Sequence, residues 1–115
     1  MALYQNVSRM TIYSMGSFDI HAKKKYGNKS DRGRIAIKGA KPKGSHPRAV
    51  LETSTGGTFA VFLPCTLQTK SAHNYFDLDE QSYRGSLILI PGKETSFSIV
   101  NYCSVEQYLL SLIHI

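Results

Sequence analysis

With 115 residues the chain is sized for one ordinary domain and is too short for two. Its composition, 42% hydrophobic and 19% charged with seven Tyr and five Phe, belongs to a globular protein with a core and excludes a disordered tail. The net charge of +6 is uneven: residues 21–48 hold ten Lys or Arg against one acid, Asp31, a balance of +9, whereas the four cations and seven carboxylates elsewhere sum to −3.

No stretch approaches the ~20 consecutive apolar residues that a membrane helix requires, and residues 1–5 do not read as a signal peptide. Residues 10–13 and 17–21 read as two strands around Ser14-Met15-Gly16. The basic block follows, with Lys23, Lys24, Lys25, Arg32 and Arg34 as its candidate polyanion contacts. Such a block can meet nucleic acid, an anionic membrane surface or the carboxylate- and phosphate-bearing polymers of a cell wall. Only Tyr26 interrupts its lysines, which disfavours a base-stacking nucleic-acid site. The plain alternative is a solvated hairpin and loop kept soluble by its lysines.

Within the block, residues 34–38 alternate Ile35 and Ile37 with polar neighbours, the pattern of an edge or half-buried strand, and residues 39–47, rich in Gly, Pro and Lys, read as loop. Residues 49–53 and 58–63 flank Ser54-Thr55-Gly56-Gly57 and form a hairpin, because Gly-Gly tolerates the positive φ of tight turns. Residues 67–75 show no firm period, and residues 77–82 read as the turn before Tyr83. A second hairpin pairs the apolar run 87–90 with a strand carrying Phe97, Ile99 and Val100, joined by Pro91-Gly92-Lys93-Glu94. Ser104-Val105-Glu106-Gln107 has the form of a capping box, so a helix is expected from Val105. Val105, Tyr108, Leu109, Leu112 and Ile113 would lay one apolar face of that helix on the sheet. The expected fold is mainly β (α+β): antiparallel hairpins with one C-terminal helix, part of a larger domain.

Tyr83-Arg84-Gly85, two apolar strands, Val100-Asn101 and then Glu106, Tyr108 and Leu109 resemble the stage II sporulation protein D and amidase-enhancer family of bacterial cell-wall proteins. The opening VSRMTIYSMGSFDI is also similar to that of family members, and the departures at Cys103 and Ser104, where the family has Leu and Pro, are mild because Ser is a good cap. Family members continue with a Gly-Val-Val-Pro-x-Glu-Met-like segment whose Glu serves as catalytic acid and base. Here the chain instead reads Leu-Ser-Leu-Ile-His-Ile over 110–115, and the aligned Glu would fall just past Ile115. That hexapeptide is also what one reading frame of a transposon-end sequencing adapter spells. Residues 1–109 are accordingly expected to be the β-rich N-terminal part of such a domain and 110–115 a non-native tail, the alternative being an apolar helix end.

The resemblance implies a peptidoglycan lytic transglycosylase or an amidase enhancer acting outside the cytoplasmic membrane. A carboxylic acid would protonate the glycosidic oxygen and then, as carboxylate, help the sugar's own C6 hydroxyl close an anhydro ring. Its partners would be peptidoglycan glycan strands or an anionic wall polymer, and a cell-wall amidase. The chain itself is expected to be inactive, because that acid lies beyond it. Tyr83, Arg84, Asn101 and Glu106 are the substrate-binding positions the motif suggests, with no catalytic residue assigned. Each has a structural alternative. Arg84 can pair with a carboxylate at a strand start, Asn101 can bond neighbouring backbone, and Glu106 can favour a helix dipole.

Asp77, Asp79 and Glu80 lack the ligand spacing and turn Gly of an EF-hand loop and read as solvated turn carboxylates. The four histidines show no HxH or HxxxH spacing, so no metal is expected. No nucleophile elbow, P-loop or dinucleotide glycine pattern occurs, and no cofactor is expected. Cys65 and Cys103 read as small buried apolar residues, too few for a disulfide framework. Without a catalytic acid, the competing functional class is a wall- or polyanion-binding β module, with RNA binding resting on charge alone.

Overall fold

Alternation of buried and exposed side chains builds this chain into strands. Ile35, Ile37 and Gly39 of one strand and Ala49, Leu51 and Thr53 of the next are buried, while Arg34, Lys38 and Glu52 between them are exposed. A period of two sends successive side chains to opposite faces of a pleated sheet. The computed structural model describes residues 2–16, 18–22, 33–54, 57–71 and 73–103. Among these lie eleven strands: β1 (Ala2–Val7), β2 (Arg9–Ser14), β3 (Phe18–His21), β4 (Gly33–Lys43), β5 (His46–Thr53), β6 (Thr58–Phe62), β7 (Cys65–Thr69), β8 (Phe76–Leu78), β9 (Gln81–Tyr83), β10 (Ser86–Pro91) and β11 (Phe97–Tyr102).

They form two antiparallel sheets, one of five strands in the order β1-β11-β10-β7-β3 and one of six in the order β6-β5-β4-β2-β8-β9. The protein is mainly β, as expected. The core lies between the sheets. The five-stranded sheet contributes Phe18, Ile20, Cys65, Leu67, Leu87, Leu89, Phe97 and Ile99; the six-stranded sheet contributes Ile12, Ile35, Ile37, Leu51, Val61, Phe76 and Leu78. Phe18 and Phe76 meet edge to face across the sandwich, ring centroids 6.0 Å apart. Burying each such side chain contributes about 1.5–3 kcal/mol, so the two facing apolar rows supply the main driving force for sheet stacking.

Both predicted hairpins are present. β5 pairs β6 with Leu51 opposite Phe59, and β10 pairs β11 with Leu89 opposite Ile99. In β10 the apolar run divides between the faces: Leu87 and Leu89 are fully buried, Ile88 is half-buried and Ile90 is exposed. The strands at 10–13 and near 18–21 exist but do not pair, since β2 joins the six-stranded sheet and β3 the five-stranded one. Between them the Ser14 hydroxyl donates to the Gly16 carbonyl at 2.5 Å, and the Met15 amide donates to the Tyr75 carbonyl at 2.9 Å.

Residues 39–47 are not the loop their composition predicts. β4 runs on to Lys43, only Gly44 and Ser45 turn, and β5 starts at His46. Gly39 is not a breaker but a site of close approach, where a Cβ would collide with the Thr95 carbonyl oxygen of the β10–β11 turn. Pro42 sits within the register shift between Ala40 and Lys43, where the ladder does not need its missing N–H. β4 is also interior, flanked by β5 and β2, although half-buried as its alternation implies.

β1, β7, β8 and β9 have no counterpart in the expected elements. The expected turn at 77–82 contracts to Asp79 and Glu80, with φ of 48° and 68°, the two-residue turn of the β8–β9 hairpin. The predicted helix from Val105 lies outside the described residues, as do Glu106, Lys23, Lys24, Lys25 and Arg32.

Candidate functional site

Tyr83, Arg84 and Gly85 occupy the corner where the chain leaves one sheet for the other. Tyr83 ends β9 in the six-stranded sheet, Ser86 begins β10 in the five-stranded sheet, and Arg84 and Gly85 make the crossing. Gly85 has φ of +88°, and a Cβ there would run into the Tyr102 carbonyl oxygen at the end of β11. Both the dihedral and the close approach require glycine.

Asn101 closes this corner from β11. Its side-chain amide donates to the Arg84 carbonyl at 2.9 Å and to the Ser86 carbonyl at 3.2 Å, one on each side of Gly85. The Thr69 hydroxyl of β7 stands 3.5 Å from the Gly85 carbonyl, at the outer limit of a hydrogen bond. Three consecutive carbonyls, of Arg84, Gly85 and Ser86, are thus met by side chains from both strands flanking β10. The motif residues at 83–85 and at 101, separate in the sequence, form one structural unit.

Arg84 is 8% exposed, with its guanidinium 5.9 Å from the centre of the Tyr75 ring, within cation–π range. Its side chain is thus packed into the corner and not displayed on the surface. Tyr83 is half-buried against the core. Of the substrate-binding positions suggested by the motif, the corner brings together Tyr83, Arg84 and Asn101; of the candidate polyanion contacts, Arg34 stands on β4 of the six-stranded sheet.

None of the protein-family models, curated proteins or solved structures compared with the chain matches it.

A contact beside the corner joins the sheets at their edges. The Tyr4 hydroxyl of β1 donates to the Asp79 carboxylate in the β8–β9 turn. That bond, with burial and the charge of Asp79 behind it and the Tyr83 phenol adding to them, raises the Tyr4 phenol from 10.0 to about 12. Asp77 accepts from the Ser82 hydroxyl at 2.6 Å. Asp77 and Asp79 are thus each engaged by a hydroxyl, and no group of three metal-ligating side chains occurs among the described residues. Both cysteines are free, Cys65 buried and Cys103 half-buried, and burial pushes the Cys65 thiol up to about 12.

The basic character has a second location that the cation count in the sequence does not reveal. Arg9, outside the 21–48 block, lies in register with Lys38 on adjacent strands of the six-stranded sheet, and Arg34 lies opposite Tyr13. These side chains point away from the core, as does Arg48 on β5, whose Nε donates to the Lys41 carbonyl at 3.1 Å. A shallow depression of about 570 Å³ opens on this face, lined by Arg9, Thr11, Ala36, Lys38, Val50 and Glu52. The alternation of Arg9, Thr11 and Tyr13 with Met10, Ile12 and Ser14 was the signal that could have placed Arg9 here.

Proposed function

We propose that this chain is the β-sandwich part of a bacterial peptidoglycan-remodelling protein resembling the stage II sporulation protein D and amidase-enhancer family. The observation that supports this is the convergence of Tyr83-Arg84-Gly85 with Val100-Asn101 on a single corner, locked by the Asn101 amide to the Arg84 and Ser86 carbonyls. The separated halves of the motif clamp one another near the end of β11, ahead of the onward segment 104–115. In the resembled family, that onward segment carries the catalytic carboxylate. The role proposed for the described β-sandwich is that of scaffold and wall contact.

Purified sacculi provide the test. The chain is expected to sediment with them at low salt and to release no soluble muropeptide. A natural-gene product reaching past codon 109 with a Pro-x-Glu-Met segment is expected to release anhydro-terminated muropeptides, or, as an enhancer, to raise release by an added amidase. A chain that stays in the supernatant at low salt refutes the wall assignment.

A second reading, a non-catalytic polyanion-binding β module, is favoured by the outward-facing Arg9, Arg34 and Lys38 of the six-stranded sheet. Retention on sacculi that is lost only at high salt, with no activity from the longer product, would select it.

A further inference from the structure

We propose that the outer face of the six-stranded sheet binds a linear polyol-phosphate polymer, with Arg9 and Lys38 as its phosphate contacts. Arg9 and Lys38 are direct cross-strand partners. Like charges in that arrangement destabilise a sheet, and strands lie only about 4.8 Å apart. Among the described residues the ion pair formed is Lys70 with Asp19, on the other sheet, and neither Arg9 nor Lys38 has a carboxylate within pairing distance. An anion seated between the two cations removes their repulsion.

The rest of the depression selects the kind of anion. Its floor is Thr11, Ala36 and Val50, continued by Ala60 opposite Val50 on β6. These side chains are too small to stack a nucleobase; the outward aromatics nearest them, Tyr13 and Phe62, stand beyond Thr11 and beyond Ala60, and the half-buried Phe62 ring is packed edge to face on His46. Glu52 lies opposite Ala36 and diagonal to Lys38. A carboxylate there repels a densely charged polyanion but accepts hydrogen bonds from hydroxyls. Cations beside a hydroxyl acceptor on an aliphatic floor match a chain in which phosphodiesters alternate with hydroxylated carbons. The choice of a wall polymer over other polyol phosphates rests on the reading given above.

Equilibrium binding of the chain to purified polyol-phosphate wall polymer is compared with binding to inorganic polyphosphate and single-stranded RNA at equal phosphate concentration. The polyol polymer is expected to bind tightest, and Arg9→Gln with Lys38→Gln to weaken it roughly tenfold, the scale of two exposed charge contacts. Lys70→Gln, on the other sheet, removes the same kind of charge and is expected to leave binding unchanged. Glu52→Gln is expected to erase the preference for the polyol polymer over polyphosphate. Circular dichroism of each variant confirms the fold. Equal or tighter binding of RNA or polyphosphate by the unaltered chain overturns the proposal, as does an equal loss with Lys70→Gln. Sacculi stripped of their phosphate polymer separate the two conclusions: retention there, with no binding of the free polymer, overturns this inference and leaves the peptidoglycan assignment standing.

Discussion

Replacing Asn101 by Ala removes the two donors that hold the sheet-crossing corner. The Arg84 and Ser86 carbonyls, at 2.9 and 3.2 Å, lose this donor, and Arg84 and Gly85 are both buried, so water does not readily replace it at the Arg84 carbonyl. Each such bond contributes about 1 kcal/mol net, and an acceptor left unpaired in a buried place adds about 1 kcal/mol more. The expected loss is about 2–3 kcal/mol, which for a domain of this size lowers Tm by roughly 10 °C. Asn101→Asp keeps the shape but points carboxylate oxygens at carbonyl oxygens, and is expected to cost at least as much. Urea unfolding followed by circular dichroism measures both, with an unchanged m-value confirming that the native state alone is affected. A loss under about 0.5 kcal/mol for Asn101→Ala, or an Asp variant as stable as the wild type, would refute the reasoning.

Two further outcomes follow from the same framework. The Tyr4–Asp79 bond favours the protonated phenol in the folded state, raising it from 10.0 to about 12, so its contribution is complete below pH 10 and is lost as pH rises through 12. Tyr4→Phe lacks that contribution at every pH, so the gap in Tm between wild type and variant is expected to hold steady below pH 10 and close toward pH 12; a constant gap across that range removes the bond from the account. Cys65, fully buried with its thiol pushed up to about 12, is expected to resist a disulfide reagent at pH 8 in the native protein, while half-buried Cys103 reacts. Two fast-reacting thiols before denaturant is added would show that the core around Cys65 opens.

The polyol-phosphate inference changes what the basic segment means. By composition the cations belong to residues 21–48, yet the face proposed to bind draws one of its two phosphate contacts, Arg9, from a different strand. Charge clustering along a chain and charge clustering on a surface are different quantities, and only the second concentrates a ligand.

The mainly β class, the β5–β6 and β10–β11 hairpins and the inward pair Ile35 and Ile37 were legible in the sequence, because strand alternation is a local pattern that a segment carries by itself. The same local reasoning failed at Gly39 and Pro42. It takes both as loop signals, whereas one permits the Thr95 carbonyl to approach and the other occupies a register shift. β1 escaped notice because its pairing with β11 shifts register twice and leaves no regular period.

The Tyr-Arg-Gly and Val-Asn segments could be picked out of the sequence as a motif, but not their physical relation. That Asn101 holds carbonyls 17 and 15 residues away, that Tyr4 reaches Asp79 across 75 residues, and that Arg9 stands beside Lys38 are consequences of which sheet each strand joins. Where apolar and polar residues alternate, as at Ile35 and Ile37, the sequence by itself determined which side chains turn inward; in the unbroken run 87–90 the tertiary structure chose Leu87 and Leu89. Only the tertiary structure decided sheet membership, and with it the locked corner and the cationic face, because strand pairing is settled by burial and backbone hydrogen bonding over the whole chain at once.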